Sequence, residues 1–86
     1  MKYTVVDVRT RVEYEQGHVP GSINIPLNEV VEREAEVIAL PEPILFCCLS
    51  GGRSGQATAY FQGKGLDCEN GGGWLEVKYR LESGEN

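Results

Sequence analysis

The residues of this 86-residue chain best suited to chemistry stand together at Cys47-Cys48-Leu49-Ser50-Gly51-Gly52-Arg53-Ser54. Two cysteines close the apolar run Ile44-Leu45-Phe46, and a glycine-rich turn then leads past an arginine into a helix-like stretch from Ser54. Glycine admits positive φ angles, so such a turn can aim successive amide N–H groups at one point, where a helix N-terminus adds its own unpaired donors. A cradle of this kind holds an anion. A cysteine at its rim is favoured as thiolate by the same donors, since thiol pKa values fall at helix N-termini and beside arginine. The stretch therefore reads as a nucleophilic thiolate in an anion-binding loop.

The elements that must position this loop follow from local patterns. Tyr3 to Val8 is a short β-branched run of strand length. Thr10 and Glu13 have the spacing of a capping box, which predicts a short helix from Arg11 to about Gln16, broken by Gly17-His18-Val19-Pro20-Gly21. Ser22 to Pro26 alternates polar and apolar residues in the period of a strand. Asn28 is suited to cap a helix whose apolar face is Val31, Ala35 and Ile38 and whose other face is acidic. Pro41 and Pro43 end that helix and lead into a central strand from Ile44 to Cys47. After the loop, Ala57, Tyr60 and Phe61 form a helical stripe that Gly63 and Gly65 close. Leu66 to Asn70 is expected to be a further strand, Gly71-Gly72-Gly73 a flexible turn, and 74–79 a last short helix. A polar tail from about Glu82 is expected to fray. Strands alternating with helices predict an α/β domain with a mostly parallel sheet of about four to five strands, covered on both faces. Ligands bind such sheets at the carboxyl ends of the strands, where the loop stands.

The composition narrows the choice. The length suits one domain over residues 1–86, and 41% hydrophobic with 24% charged residues is ordinary for a globular chain. A net charge of −5 with eight scattered Lys and Arg argues against a nucleic-acid surface. No apolar run approaches the length of a membrane span. Three cysteines, two of them adjacent, do not make a disulfide framework, and one histidine without paired cysteines does not make the usual zinc arrangement. The expectation is a cytoplasmic protein as written, or a periplasmic one if a leader has been removed, with no metal.

Across most of its length the sequence resembles the rhodanese-like sulfurtransferases, and within them the small single-domain thiosulfate sulfurtransferases of the periplasmic phage-shock type. Asp7-Val8-Arg9 with Glu13-Tyr14, followed by 17–26, is similar to the amino-terminal signature of that family. Phe46 to Ser54 is similar to its active-site loop, and Asn70-Gly71-Gly72-Gly73-Trp74 to its carboxyl-terminal signature. The resemblance implies a rhodanese-like fold in which the Cys48 thiolate attacks the outer sulfur of thiosulfate, releases sulfite and is left as a persulfide. Cyanide, a cellular thiol or a sulfur-carrier protein then removes that sulfur. No cofactor is implied beyond the covalent cysteine persulfide, and ping-pong kinetics are expected.

Each residue also has a plainer reading. Cys48 could be a structural cysteine at the end of an apolar run. Leu49, Ser50, Gly51, Gly52, Arg53 and Ser54 form the substrate loop, with Arg53 placed to pair with an anion or to brace the loop. Asp7 and Arg9 are expected to support the loop or each other, and Glu13 to pair with an arginine or cap its helix. Counted from Cys47, Arg53 has the Cys-x5-Arg spacing of tyrosine phosphatases and arsenate reductases, which makes such an enzyme the rival reading. A non-catalytic sulfur-relay module is a third. Neighbouring strand residues face opposite ways, so Cys47 is expected in the core, and Cys68 is expected to be buried and inert. His18 reads as a hydrogen-bonded turn residue, and Trp74 as a pocket wall or a core residue.

Overall fold

In the computed structural model, which describes residues 2–84, the strands are β1 (Thr4–Asp7), β2 (Ile23–Asn24), β3 (Ile44–Cys48) and β4 (Cys68–Gly73). The helices are α1 (Arg11–Glu15), α2 (Glu34–Ile38), α3 (Gly52–Gln62) and α4 (Trp74–Glu82), with a 3-10 turn at Leu27–Glu29. The strands form one parallel sheet in the order β2-β1-β3-β4, so the run that ends in Cys48 is an inner strand with neighbours on both sides.

All five residues of β3 are buried. A strand covered on both faces has to be apolar throughout, which explains the unbroken Ile44-Leu45-Phe46-Cys47-Cys48 run. Alternation then divides the core. Val6, Val8, Ile44, Phe46 and Cys48 face one side, where they pack with Val37 of α2 and Ala57 and Phe61 of α3. Val5, Leu45 and Cys47 face the other, against Val77 of α4, Val19 and the partly buried Trp74. One-residue parity thus sends the Cys48 side chain toward α3 and the Cys47 side chain away from it.

The capping box at α1 is present, with the Glu13 N–H donating to Thr10 Oγ1 and the Thr10 N–H donating to Glu13 Oε1. Between Asn28 and Ile38 the structure departs from the sequence pattern. Asn28 caps nothing and lies in the 3-10 turn, and the helix is confined to α2. Val31 and Ile38 are 65% and 48% exposed, and Ala35 is exposed as well. The buried pair is Val30 and Val37, one residue earlier. A step of one residue turns a helical side chain by about 100°, so the choice between two adjacent apolar positions rests with the surface they pack on.

The glycine run is also reassigned. Gly71, Gly72 and Gly73 continue β4, with a register shift opposite Phe46 and Cys47, and Gly73 becomes the N-cap of α4. A Cβ on Gly73 would lie 2.6 Å from the Leu49 carbonyl oxygen, so close backbone approach, rather than flexibility, is what this glycine provides. The tail remains in α4 as far as Glu82, followed by a turn at 83–84. The rest of the expected frayed segment, 85–86, lies outside the described residues.

Candidate active site

β3 delivers Cys48 to the carboxyl edge of the sheet, and the chain turns at once through Leu49, Ser50 and Gly51 into α3. Gly51 has φ +105°, a left-handed conformation that side chains other than glycine rarely adopt, and it is the N-cap of α3. The helix begins at Gly52, two residues before the start read from the pattern, because the tight Gly51 turn admits Gly52 and Arg53 to its first turn. Having no side chain, Gly51 offers no capping oxygen, and the sulfur of Cys48 takes that place. Sγ accepts hydrogen bonds from the Gly51 N–H at 3.0 Å, the Ser54 N–H at 3.4 Å and the Ser54 hydroxyl at 3.3 Å.

These donors decide the state of the thiol. Burial, with the residue only 1% exposed, pushes the pKa up. Hydrogen bonds from the Ser54 hydroxyl and from the N–H groups of Ser54, Gly51 and Ser50 favour the anion and outweigh it, bringing the thiol down to about 7. For Cys47, on the opposite face, burial and the charge of Asp7 push the thiol up to about 12. Cys68 is buried with its thiol also raised, by burial first and then by the charges of Asp67 and Glu42. Adjacent cysteines therefore have opposite tendencies, set by which face of the strand each occupies.

Arg53 does not stand free for an anion. Its Nη1 and Nη2 donate to Glu13 at 2.7 and 3.0 Å, tying α3 to α1 across 40 residues of chain. Glu13 is held well below the usual carboxylate range, at about 2, by the Arg53 hydrogen bonds first and by the Thr10 N–H next. Asp7 and Arg9 form a second pair, buried at the end of β1. Arg9 Nε and Nη2 donate to the Asp7 carboxylate, Nη2 also donates to the Gly17 carbonyl, and the guanidinium lies 4.8 Å from the Trp74 ring centre. Arg9 Nη1 reaches the backbone carbonyl of Glu13 at 3.3 Å, so the two pairs share one scaffold.

His18 stacks on Tyr14 with ring centres 3.8 Å apart, and its Nδ1 lies 2.7 Å from the Tyr14 carbonyl oxygen. This is the hydrogen-bonded turn residue the sequence predicts. Trp74 serves both purposes expected of it. It packs on the core and, with Leu49, Leu75, Arg9, Glu13 and Gln16, lines a groove of about 430 Å³ beside the loop.

Sequence reasoning gave no side-chain role to Asn70 or Asn24. Asn24 Nδ2 bridges the Asp7 and Arg9 carbonyls, and Asn70 Nδ2 donates to the Gly51 carbonyl at 3.0 Å. Both lie in stretches similar to the family signatures, 17–26 and Asn70 to Trp74, which mark the residues without assigning their contacts, and Asn70 before Gly71 by itself reads as a turn.

The chain is similar in sequence and in fold to several known proteins. Thiosulfate sulfurtransferase PspE of Escherichia coli (strain K12) is 39% identical over 74 residues, which is 84% of this chain and 71% of that protein. A rhodanese with anions from E. coli superposes with a TM-score of 0.77 at 38% identity, covering 86% of this chain and 89% of the other. A rhodanese-related protein from Thermoplasma volcanium does so with a TM-score of 0.78 at 30% identity, covering 96% and 80%. Some relatives are much longer, and this chain spans 20% of HTH-type transcriptional regulator Rv0324 of Mycobacterium tuberculosis, to which it is 46% identical over 44 residues. The family model of the rhodanese-like domain matches residues 1–79, and with a shared parallel fold at 30–38% identity the chain belongs to the rhodanese-like family.

Proposed function

We propose that the chain is a sulfurtransferase that takes the sulfane sulfur of thiosulfate onto Cys48 and passes it to a thiol acceptor. The reading is supported above all by the three hydrogen bonds that converge on Cys48 Sγ. In the first step the thiolate attacks the outer sulfur of thiosulfate. A new S–S bond forms, the old one breaks, and its electron pair leaves with sulfite. The Cys48 persulfide then carries its charge on the terminal sulfur, within reach of donors aimed at an anion before the reaction starts, which is electrostatic preorganisation. In the second step an acceptor nucleophile, such as cyanide, a small thiol or the thiol of a sulfur carrier, removes the terminal sulfur and restores the thiolate. The reaction needs no cofactor beyond the cysteine.

The alternative nucleophile is poorly suited. Cys47 sits among Val5, Val19, Leu45 and Val77 with its thiol raised to about 12, so the Cys-x5-Arg spacing counts from a residue on the wrong face. Leu49 and Trp74 give the groove beside the loop an apolar wall, and the charged Arg9 and Glu13 at its edge are each held in an ion pair.

Intact-protein mass spectrometry after incubation with thiosulfate tests the proposal. The wild type is expected to gain the mass of one sulfur atom, cyanide should remove it with formation of thiocyanate, and Cys48→Ser should show neither. Retention of sulfur transfer in Cys48→Ser would refute the assignment. Turnover of a phenyl phosphate by a protein that never gains sulfur would favour a phosphatase. Sulfur gain from a persulfidated donor protein but not from thiosulfate would favour a relay module.

A further inference from the structure

Ser54 is fully buried, and its hydroxyl has one proton but two acceptors within reach. Oγ lies 2.7 Å from Asn70 Oδ1 and 3.3 Å from Cys48 Sγ. The first is a normal O–H···O distance, while a neutral thiol is a weak acceptor, so with the sulfur protonated the proton belongs to Asn70. A sulfur anion changes the balance, because charge-assisted hydrogen bonds are roughly twice as strong as neutral ones. Moving the proton needs only rotation about the Cβ–Oγ bond of Ser54, and no covalent bond is made or broken.

Asn70 is built to release that proton at little cost. Its Oδ1 also accepts the Gly72 N–H at 3.0 Å, so the oxygen keeps a partner when Ser54 turns away. Its Nδ2 donates to the Gly51 carbonyl at 3.0 Å. That arrangement fixes the amide orientation, since the flipped amide would set an NH2 group against the Gly72 N–H and an oxygen against the Gly51 oxygen. The same contact steadies the residue whose own N–H donates to Cys48.

We propose that Asn70 is a positioning residue for the sulfur chemistry of Cys48, holding the Ser54 hydroxyl proton while the sulfur is neutral and releasing it when the sulfur is an anion. Asn70 lies on β4 and acts on the sulfur through Ser54 and Gly51. The proposal rests on Cys48 being the nucleophile, but it does not depend on which donor supplies the sulfur. The charged groups facing the loop are Arg53 of α3, paired with Glu13 of α1, Asp7 of β1, paired with Arg9, and Glu76 of α4, whose carboxylate accepts the Gly73 N–H. The variants below alter none of these groups.

The test is the pH dependence of Cys48 alkylation by iodoacetamide, located by peptide mass spectrometry, in three backgrounds: wild type, Asn70→Leu and Asn70→Asp. Asn70 is an exposed residue, and Ser54→Ala removes one oxygen atom, so all variants keep the core packing. In the wild type, Ser54→Ala should raise the midpoint by about one pH unit, the order expected for one hydrogen bond to a charged group. In Asn70→Leu the hydroxyl has no competing acceptor, and the shift caused by Ser54→Ala should be larger. In Asn70→Asp a carboxylate retains the proton, and the shift should shrink toward nil. A merely structural Asn70 would give the same Ser54→Ala shift in all three backgrounds, and that result, or the reverse order, would overturn the proposal. A wild-type Cys48 that resists alkylation up to pH 9 would overturn the nucleophile assignment and this proposal with it.

Discussion

At the scale of single residues, the site depends on how one sulfur differs from its neighbour. Cys48 Sγ faces the start of α3 and is drawn down to about 7, while Cys47 faces apolar side chains and is pushed up to about 12. Iodoacetamide at pH 7.5 should therefore label Cys48 and leave Cys47 unmodified, which peptide mapping would check. The shift has a consequence for stability as well. A thiol whose folded pKa is depressed from 9.0 to about 7 contributes stability that is complete above pH 9 and is lost as pH falls through 7. Urea unfolding should show the wild type gaining on Cys48→Ser as pH rises from 6.5 to 9.

At the scale of elements, the loop is held from three sides. β3 fixes its start, Glu13 of α1 grips Arg53 of α3, and β4 presses against Leu49 through Gly73. Glu13 both closes the α1 capping box and carries the ion pair, so Glu13→Ala should cost about 1 to 2 kcal/mol in chemical denaturation, most of it from the cap because the pair is partly exposed. The carboxyl is lowered from 4.5 to about 2, so its contribution is complete above 4.5 and disappears as pH falls through 2. The gap between wild type and Glu13→Ala should hold from pH 7 to 5 and close near pH 2. Gly73→Ala forces a Cβ to within 2.6 Å of the Leu49 carbonyl oxygen and should destabilise by about 1 to 3 kcal/mol, the usual cost of overpacking. Since the strain falls on the residue next to Cys48, the alkylation rate of Cys48 should fall in the same variant.

For the whole molecule, a chain of 86 residues has little stability to lose. The Asp7–Arg9 pair is buried at 2.7 Å, and Arg9 also ties the Gly17 carbonyl and Trp74 to the end of β1. Removing one partner leaves an uncompensated buried charge, which typically costs about 3 to 5 kcal/mol. Asp7→Ala should consequently lower the thermal midpoint far more than Glu13→Ala, and calorimetry on the two variants would show the order. Among the described residues no helix is long and apolar enough to cross a membrane.

What could be read from the sequence was whatever depends on near neighbours in the chain. The apolar β3 run, the Thr10–Glu13 capping box and the glycine turn after Cys48 each carry their cause within a few residues, and so the parallel α/β fold and the loop were legible. The strand parity that separates Cys48 from Cys47 was legible for the same reason. Contacts between distant segments were not. Nothing local says that Val30 and Val37 rather than Val31 and Ile38 meet the sheet, that Gly71 to Gly73 continue a strand, or that Asn70 reaches Gly51 and Ser54. Those outcomes follow from which surfaces come together once four strands lie side by side. The sequence by itself determined the buried run that ends in Cys48 and the glycine turn that follows it, and the tertiary structure decided which remote side chains hold that turn, because packing partners are chosen in space.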